Sequence, residues 1–210
     1  MSDFLKMRNS TISVNLPGHI SLATHMRERH ITTSETRLTS SVNPLLTASY
    51  ALLATASRLQ LLAQEFDPAF LQQQLISQLH AFDIACANKV RDEVLSLGRY
   101  FLCSLLDDIV EYGPSSGFSP GYSLLMHYYQ EIPADNRAFK LMERLEDNPV
   151  ANVFLLELAY MILVYGYFGP YRFDPNGYAI ILEKQDTLYH LIRWQHGDFR
   201  KNLFIQLPPS

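Results

Sequence analysis

The chain has 210 residues, of which 48% are apolar and 18% are charged, and its formal net charge is −4. This length suits one large domain or two small ones, and the net negative charge excludes the basic surface that nucleic-acid-binding proteins present. Two cysteines without CxxC spacing exclude a disulfide scaffold, and the most apolar uncharged run, 158–171, is shorter than the roughly 20 residues of a membrane span.

Residues 1–42 differ in composition from the rest of the chain. They contain 13 Ser or Thr residues, and such a segment buries too little apolar surface to offset the entropy lost on ordering. The stretch 11–16 alternates polar and apolar residues as a strand does, but no second strand is evident to pair with it. We therefore predict a flexible tail over 1–42, able to dock on the body or on a partner.

The body, residues 43–197, has apolar residues at helical spacing in seven segments. Asn43-Pro44, Asp67-Pro68 and Asn148-Pro149 are helix starts, because Asn and Asp cap helices and Pro suits a first turn. The stretch 113–121 is rich in Gly, Pro and Ser and is the strongest loop signal. The sixth segment is apolar on every face, which is typical of a central helix. The predicted helices of this all-α fold span 43–64, 67–87, 89–112, 122–131, 136–146, 150–167 and 178–196.

The third predicted helix ends close to two adjacent carboxylates, Asp107 and Asp108. Asp108 lies seven residues after the apolar Phe101, so the two differ by only about 20° around the helix. A negative charge in the last turn also opposes the helix dipole, so this carboxylate needs a partner. Two interpretations stay open: a structural Asp, half-exposed or bound to backbone N–H groups of the next loop, and an acidic patch facing a groove beside the 113–121 loop.

Glu157 lies among apolar residues of the sixth predicted helix. A buried carboxylate must be paired or neutralised, and Arg99 and Arg172 are the candidate partners. A structural ion pair is the simpler interpretation, although perturbed carboxylates also mark catalytic sites.

Aromatic side chains crowd the region that follows this helix. Most of them should belong to the core, but tyrosines are also common in interfaces, so a cluster in a loop could be a docking surface. Its members are Tyr165, Tyr167, Phe168, Tyr171 and Phe173.

Two patterns offer an enzymatic alternative. Residues 113–117 match GxSxG, but that motif functions between a strand and a helix, and here a helix precedes it. His127 and Glu131 lie four residues apart on one helix face and could hold a metal together with Asp107 or Asp108. A hydrogen-bonded pair is the simpler explanation, and we predict no catalytic residue, no cofactor and no metal.

Four short motifs occur in order along the body. They are Asn43-Pro44-Leu45-Leu46, then residues 99–108 (RYFLCSLLDD), then residues 155–160 (LLELAY), and finally residues 166–172 (GYFGPYR). The last three are similar to R-Y-x-L-C-x-x-L-D-E, L-L-E-L-x-Y and G-F-x-G-x-Y-R. Together the four resemble the DotU/IcmH family of type IVB secretion systems, whose type VI counterpart is TssL.

The resemblance implies a helical domain of seven to eight helices in two packed bundles, with a groove between them that binds a partner. The residues that it assigns to this partner-binding groove are Asp107, Asp108, Tyr112 and Phe118. A structural charge pair with its aromatic surroundings is assigned to Glu157, Arg172, Tyr171 and Arg99.

The resemblance also implies how the protein is placed and what it binds. The partners implied are an IcmF/TssM-like inner-membrane protein, other components of the secretion complex and, in addition, a second copy of the chain. Residues 198–210 are a membrane-proximal segment, and one transmembrane helix is expected beyond residue 210. The domain would then face the cytoplasm at the bacterial inner membrane, with Arg193, Arg200 and Lys201 on the positive cytoplasmic flank.

Two loops depart from the family pattern. A T-P-W-G motif is absent from 111–120, and an F-H-x-E-x-W-G-G-E motif is present only in part at 128–136. These departures favour the type IVB branch or a divergent member of the family. The predicted function is a non-enzymatic scaffold that stabilises a type IVB secretion complex with its IcmF-like partner and so supports effector translocation. The alternatives are a TssL-type component of a type VI system, a soluble adaptor acting through its tail, and a metal-dependent hydrolase.

Overall fold

The structure is a computed structural model that describes residues 42–61, 66–114, 120–131 and 136–196. These residues form seven α-helices and no strand, so the all-α prediction is confirmed. The helices are α1 Pro44–Leu61, α2 Pro68–Cys86, α3 Asp92–Tyr112, α4 Leu124–Tyr129, α5 Arg137–Glu146, α6 Pro149–Val164 and α7 Gly177–Gln195, with 3-10 turns at Pro120–Tyr122 and Gly169–Tyr171. The predicted tail, apart from Val42, and the segment 198–210 lie outside the described residues.

Three helices begin at the Asn-Pro or Asp-Pro signals of the sequence. The side-chain oxygen of Asn43 accepts the backbone N–H of Leu45 at 2.8 Å. Asp67 caps α2 and Asn148 caps α6 in the same way, each followed by proline. In each case a side chain satisfies an N–H group that the first turn leaves without a helical partner.

Two helix ends differ from the prediction for a backbone reason. Helix α3 begins at Asp92 and not at Lys89, because Asn88 has a positive φ of 63° and Lys89 donates its N–H back to Cys86. Helix α6 ends at Val164 and not at Tyr167, because Gly166 takes a φ of 90°. A residue in the left-handed conformation just after a helix ends it, because the chain then changes direction. The last carbonyls of the helix accept N–H groups from the residues that follow.

Helices α3 and α6 occupy the centre of the fold. Every residue of α3 from Tyr100 to Ile109 is buried, and α3 contacts α1, α2, α4, α5 and α6. Helix α6 contacts α1, α3, α5 and α7, which explains why it is apolar on every face. The first three helices form one packed group and α5–α7 form another, and contacts of α6 with α1 and α3 join them into one compact unit.

Helices α1, α2 and α6 approach α3 closely at Gly98. A Cβ atom at this position would lie 3.4 Å from side-chain carbons of Leu45 and Leu158 and 3.5 Å from the ring of Phe82. The absence of a side chain therefore lets these helices meet at one point.

The segment Pro149–Tyr171 is long and apolar enough to cross a membrane by length and composition, with a mean hydropathy of 1.6. Its helix, α6, packs against four other helices of the body. The core helix of a globular domain passes the same test of length and composition.

Candidate functional site

The carboxylates of Asp107 and Asp108 lie inside the protein, near the end of α3. Their residues are only 3% and 4% exposed. Because consecutive residues of a helix point about 100° apart, the two side chains reach different neighbours. Each therefore anchors a different segment to α3.

Asp107 binds the start of α4. Its carboxylate accepts the hydroxyl of Ser123 at 2.7 Å and the backbone N–H groups of Leu124 and Leu125 at 2.8 and 2.9 Å. Burial raises the pKa of Asp107 to about 6, and these three donors only partly offset that effect. A helix start is a favourable place for a carboxylate, so this contact fixes α4 against α3.

Asp108 binds the connection between α6 and α7. Its carboxylate accepts the backbone N–H of Phe168 at 3.0 Å. It also forms a bidentate ion pair with Arg172: Nε lies 3.2 Å from Oδ1, and a terminal guanidinium nitrogen contacts Oδ2. The guanidinium also lies over the rings of Tyr112 and Phe168, 5.0 and 5.2 Å from their centroids. Asp108 thus fixes the position of the Arg172 guanidinium, and this cation makes cation–π contacts with the two aromatic rings.

Asp107 and Asp108 do not form a joint acidic patch facing one groove: both are buried, Asp108 lines a cleft, and Asp107 binds α4 instead. Unpaired carboxylates at these depths would be costly, and the fold supplies backbone donors and an arginine instead. The alternative interpretation, a structural Asp that accepts backbone N–H groups, describes both residues.

A narrow cleft of about 170 Å³ lies between the end of α3 and the α6–α7 connection. Tyr112 and Phe173 stand at it with their rings edge to face at 5.3 Å, and they are 42% and 79% exposed. Burial and the neighbouring carboxylate of Glu111 raise the pKa of Tyr112 to about 12, so its hydroxyl stays protonated at neutral pH. The remaining lining residues are Ser104, Asp108, Tyr167, Gly169 and Pro170.

The cleft brings together some of the predicted groove residues and adds others. Asp108 and Tyr112 line it, whereas Asp107 bonds to α4 and Phe118 lies outside the described residues. Glu111 and Pro170 were missed. Glu111 carried a signal, since it follows Asp108 by three residues on the same helix, as neighbours on one face do.

The predicted pairing of Glu157 with Arg172 or Arg99 is wrong. Glu157 accepts the side-chain N–H of Asn43 at 2.7 Å, and its other oxygen lies 2.5 Å from Nε2 of His196. Arg172 is committed to Asp108. Glu157 therefore ties the start of α1 and the end of α7 to α6, and its role in the described part of the chain is structural.

Arg99 joins three helices from its place on α3. It pairs with Asp83 of α2 at 2.5 Å, donates to the hydroxyl of Tyr129 at 3.3 Å, and lies over the ring of Tyr128. Burial acts to lower the pKa of Arg99, but the bonds to Tyr129 and Asp83 raise it above its usual range. The Arg99 guanidinium is therefore charged at every accessible pH, and its role is to hold α2 and α4 against α3.

Tyr171 belongs to the aromatic packing behind the cleft. Its ring meets Phe139 of α5 edge to face at 4.8 Å, and Phe139 stacks on Tyr167 at 5.4 Å. Tyr167 is buried, which raises its pKa well above the usual tyrosine range. Of these three rings, Tyr167 lines the cleft together with Tyr112 and Phe173.

The four motifs of the sequence meet in pairs. The first contacts the third through Asn43 and Glu157, and the second contacts the fourth through Asp108 and Arg172. Each motif therefore supplies one half of a polar contact that joins distant helices.

His127 and Glu131 do not form a site with each other. His127 is exposed and packs its ring on Tyr128, whereas Glu131 pairs with Arg137 and accepts the hydroxyl of Tyr100. Within the described residues, no group of three His, Cys, Asp or Glu side chains is close enough to hold a metal ion.

Comparison with known proteins shows what this chain is similar to. A family model described as type VI secretion system protein DotU matches residues 44–208. The crystal structure of TssL from Vibrio cholerae is similar to this chain with a TM-score of 0.61 and 26% sequence identity, over 72% of this chain and 96% of the TssL chain. A search of curated protein sequences gave no significant match.

Proposed function

The chain belongs to the DotU family of type VI secretion system proteins, and we propose that it is a non-enzymatic scaffold that assembles a secretion complex through surface contacts. Members of this family are structural components of secretion systems. The matching family model carries a type VI description, and the similar solved structure is a TssL, so both support the TssL-type alternative over the type IVB assignment. The scaffold role includes support of effector translocation by the assembled machine.

The proposed docking site is the cleft at the end of α3. Its support is one observation: two aromatic rings, Tyr112 and Phe173, are exposed at a concave site whose backbone is fixed by the Asp108–Arg172 pair. Exposed aromatic side chains on a rigid support are typical anchors of protein interfaces. Glu111 adds a carboxylate to the cleft, so an apolar side chain next to a basic residue is the segment that fits best.

The proposed partner is an IcmF/TssM-like inner-membrane protein, together with other components of the complex and a second copy of the chain. Proteins of the DotU/TssL family are associated with the inner membrane. We infer that this domain faces the cytoplasm there. In that position the cleft is open to the cytoplasmic part of the partner.

The test is co-purification with the cytoplasmic domain of the IcmF/TssM-like partner. The variant Tyr112→Ala with Phe173→Ala should weaken capture about tenfold or more, because interface aromatics commonly contribute 2 kcal/mol or more. Tyr50→Ala with Phe70→Ala is the matched control, since these aromatics are 77% and 58% exposed on α1 and α2. Unchanged helicity by circular dichroism must accompany the loss, and equal capture by both double variants would contradict the cleft assignment.

A deletion separates the scaffold from an adaptor that acts through its tail. Removal of residues 1–41 keeps Asn43, which caps α1. A scaffold that binds through the cleft should still capture its partner after this deletion. Loss of capture would favour the adaptor.

A further inference from the structure

A second and larger cavity, of about 390 Å³, lies at the opposite end of α3. Its apolar surface comes from Val90 in the turn before α3, from Val94 in the first turns of α3 and from Phe154 of α6, and its rim carries Lys89 and Arg91. A volume of this size lies within the range of ligand-binding pockets, which are mostly apolar with a few polar groups at defined places.

A tight backbone turn forms one side of this cavity. Asn88, in the left-handed region with a φ of 63°, turns the chain sharply between α2 and α3, and the N–H of Lys89 closes that turn on the carbonyl of Cys86 at 2.9 Å. On the α6 side, the carbonyl of Phe154 is already bonded to the side chain of Asn43 at 2.9 Å. A ligand can therefore contact the apolar ring of Phe154 without having to supply a hydrogen bond to the backbone carbonyl of that residue.

The rim of this cavity is basic in a protein of net negative charge. Lys89 and Arg91 are both exposed, and no carboxylate pairs with either of them in the described parts of the chain. Asp92 and Glu93 follow in the first turn of α3 but do not line the cavity. Two unpaired cations beside an apolar recess are complementary to a carboxylate that neighbours an apolar side chain.

We propose that this cavity binds an acidic peptide segment of a partner protein, which places an aromatic or aliphatic side chain against Val90, Val94 and Phe154 and its carboxylates on Lys89 and Arg91. This site goes beyond the proposed cleft function. Val94 and Asp108 are 14 residues apart on α3, so the cavity and the cleft are separated by about 20 Å along the helix axis. A flat lipid surface fits the cavity less well, because its apolar wall is recessed.

The experiment measures fluorescence anisotropy of the full chain with a fluorescein-labelled EELFEE peptide. EESSEE lacks the apolar anchor, KKLFKK reverses the charge, and vesicles of phosphatidylglycerol test a lipid surface. EELFEE should bind saturably and at least about tenfold more tightly than either control peptide, and added salt should weaken it.

Two variants address the two halves of the site. Lys89→Glu with Arg91→Glu should weaken EELFEE binding at least about tenfold, and Ala151→Trp should do the same by filling the cavity from an exposed position on α6. The matched control is Lys140→Glu with Arg144→Glu, the same charge change on the exposed face of α5, which should keep binding within about twofold.

Three outcomes would overturn the proposal: no saturable binding of EELFEE, equal loss in the α5 control, or binding to vesicles that Lys89→Glu with Arg91→Glu abolishes while the peptide stays unbound. None of these outcomes bears on the cleft, because Tyr112 and Phe173 are unchanged in all of these proteins.

Discussion

Single carboxylates inside the helical body decide how its segments are joined. Asp107 and Asp108 are neighbours in sequence, yet one binds the start of α4 and the other binds the α6–α7 connection. Different donors offset the desolvation penalty of the two carboxylates. Asp107 accepts two backbone N–H groups and a hydroxyl, whereas Asp108 accepts an arginine and a backbone N–H. The difference between these donors leads to two separate predictions.

Asp107 should make the stability of the protein depend on pH. Its pKa in the folded protein is raised to about 6, above the usual value near 4 of an unfolded Asp. The folded state therefore favours the protonated acid, so the contribution of Asp107 is complete below about pH 4 and is lost as the pH rises to about 6, by on the order of 2–3 kcal/mol.

The variant Asp107→Asn removes this titration. Urea unfolding at pH 4.5, 5.5, 6.5 and 7 should show that the unfolding free energy of the native chain falls more steeply with pH than that of the variant. Parallel curves for the two proteins would show that Asp107 does not titrate in this range.

Asp108→Ala should destabilise the protein by about 3 kcal/mol or more, because it leaves the guanidinium of Arg172 without its partner. Arg172→Ala should cost a similar amount. The double variant should lose less than the sum of the two, since each change removes the same pair. Urea midpoints measured by circular dichroism supply the cycle, and strictly additive losses would mean that the pair is not coupled.

Whole helices follow from local sequence signals more readily than their contacts do. The caps at Asn43, Asp67 and Asn148 each act within three residues, so the sequence alone predicts these helix starts. The partner of Glu157 lies 114 residues away and that of Asp108 lies 64 residues away. Charge alone does not tell whether Arg172 pairs with Glu157 or with Asp108. The sequence indicates only the capping role of Asn43, because the hydrogen bond from its amide to Glu157 has no local signal.

The meeting point of four helices at Gly98 sets a limit on side-chain size. Gly98→Leu should destabilise the protein by about 1–3 kcal/mol, because the added atoms would overlap Leu45, Phe82 and Leu158. Gly98→Ala is the control: its Cβ only just contacts these side chains, and alanine favours a helix by up to about 1 kcal/mol. Thermal unfolding should separate the two variants, and a leucine variant that melts like the native protein would contradict the close approach.

At the scale of the whole molecule, α3 connects two candidate binding sites. The cleft lies at its C-terminal end and the basic cavity at its N-terminal end. Because sites this far apart without shared contacts act independently, each pair of substitutions should abolish one interaction only. Tyr112→Ala with Phe173→Ala should keep peptide EELFEE binding, and Lys89→Glu with Arg91→Glu should keep capture of the inner-membrane partner. Cross-loss in either variant, with helicity unchanged, would show that the sites are coupled.

The contact between Asn43 and Glu157 also has a consequence for how the protein is made. Helix α1 is synthesised well before α6, so its cap lacks the Glu157 carboxylate until the chain has been synthesised as far as that residue. Because α6 supplies the centre of the core, the nascent helices α1–α3 expose their apolar faces during that interval. Nascent chains of this kind are prone to aggregation and are typical clients of chaperones, so the yield of this protein in a cell should depend on chaperone supply during synthesis.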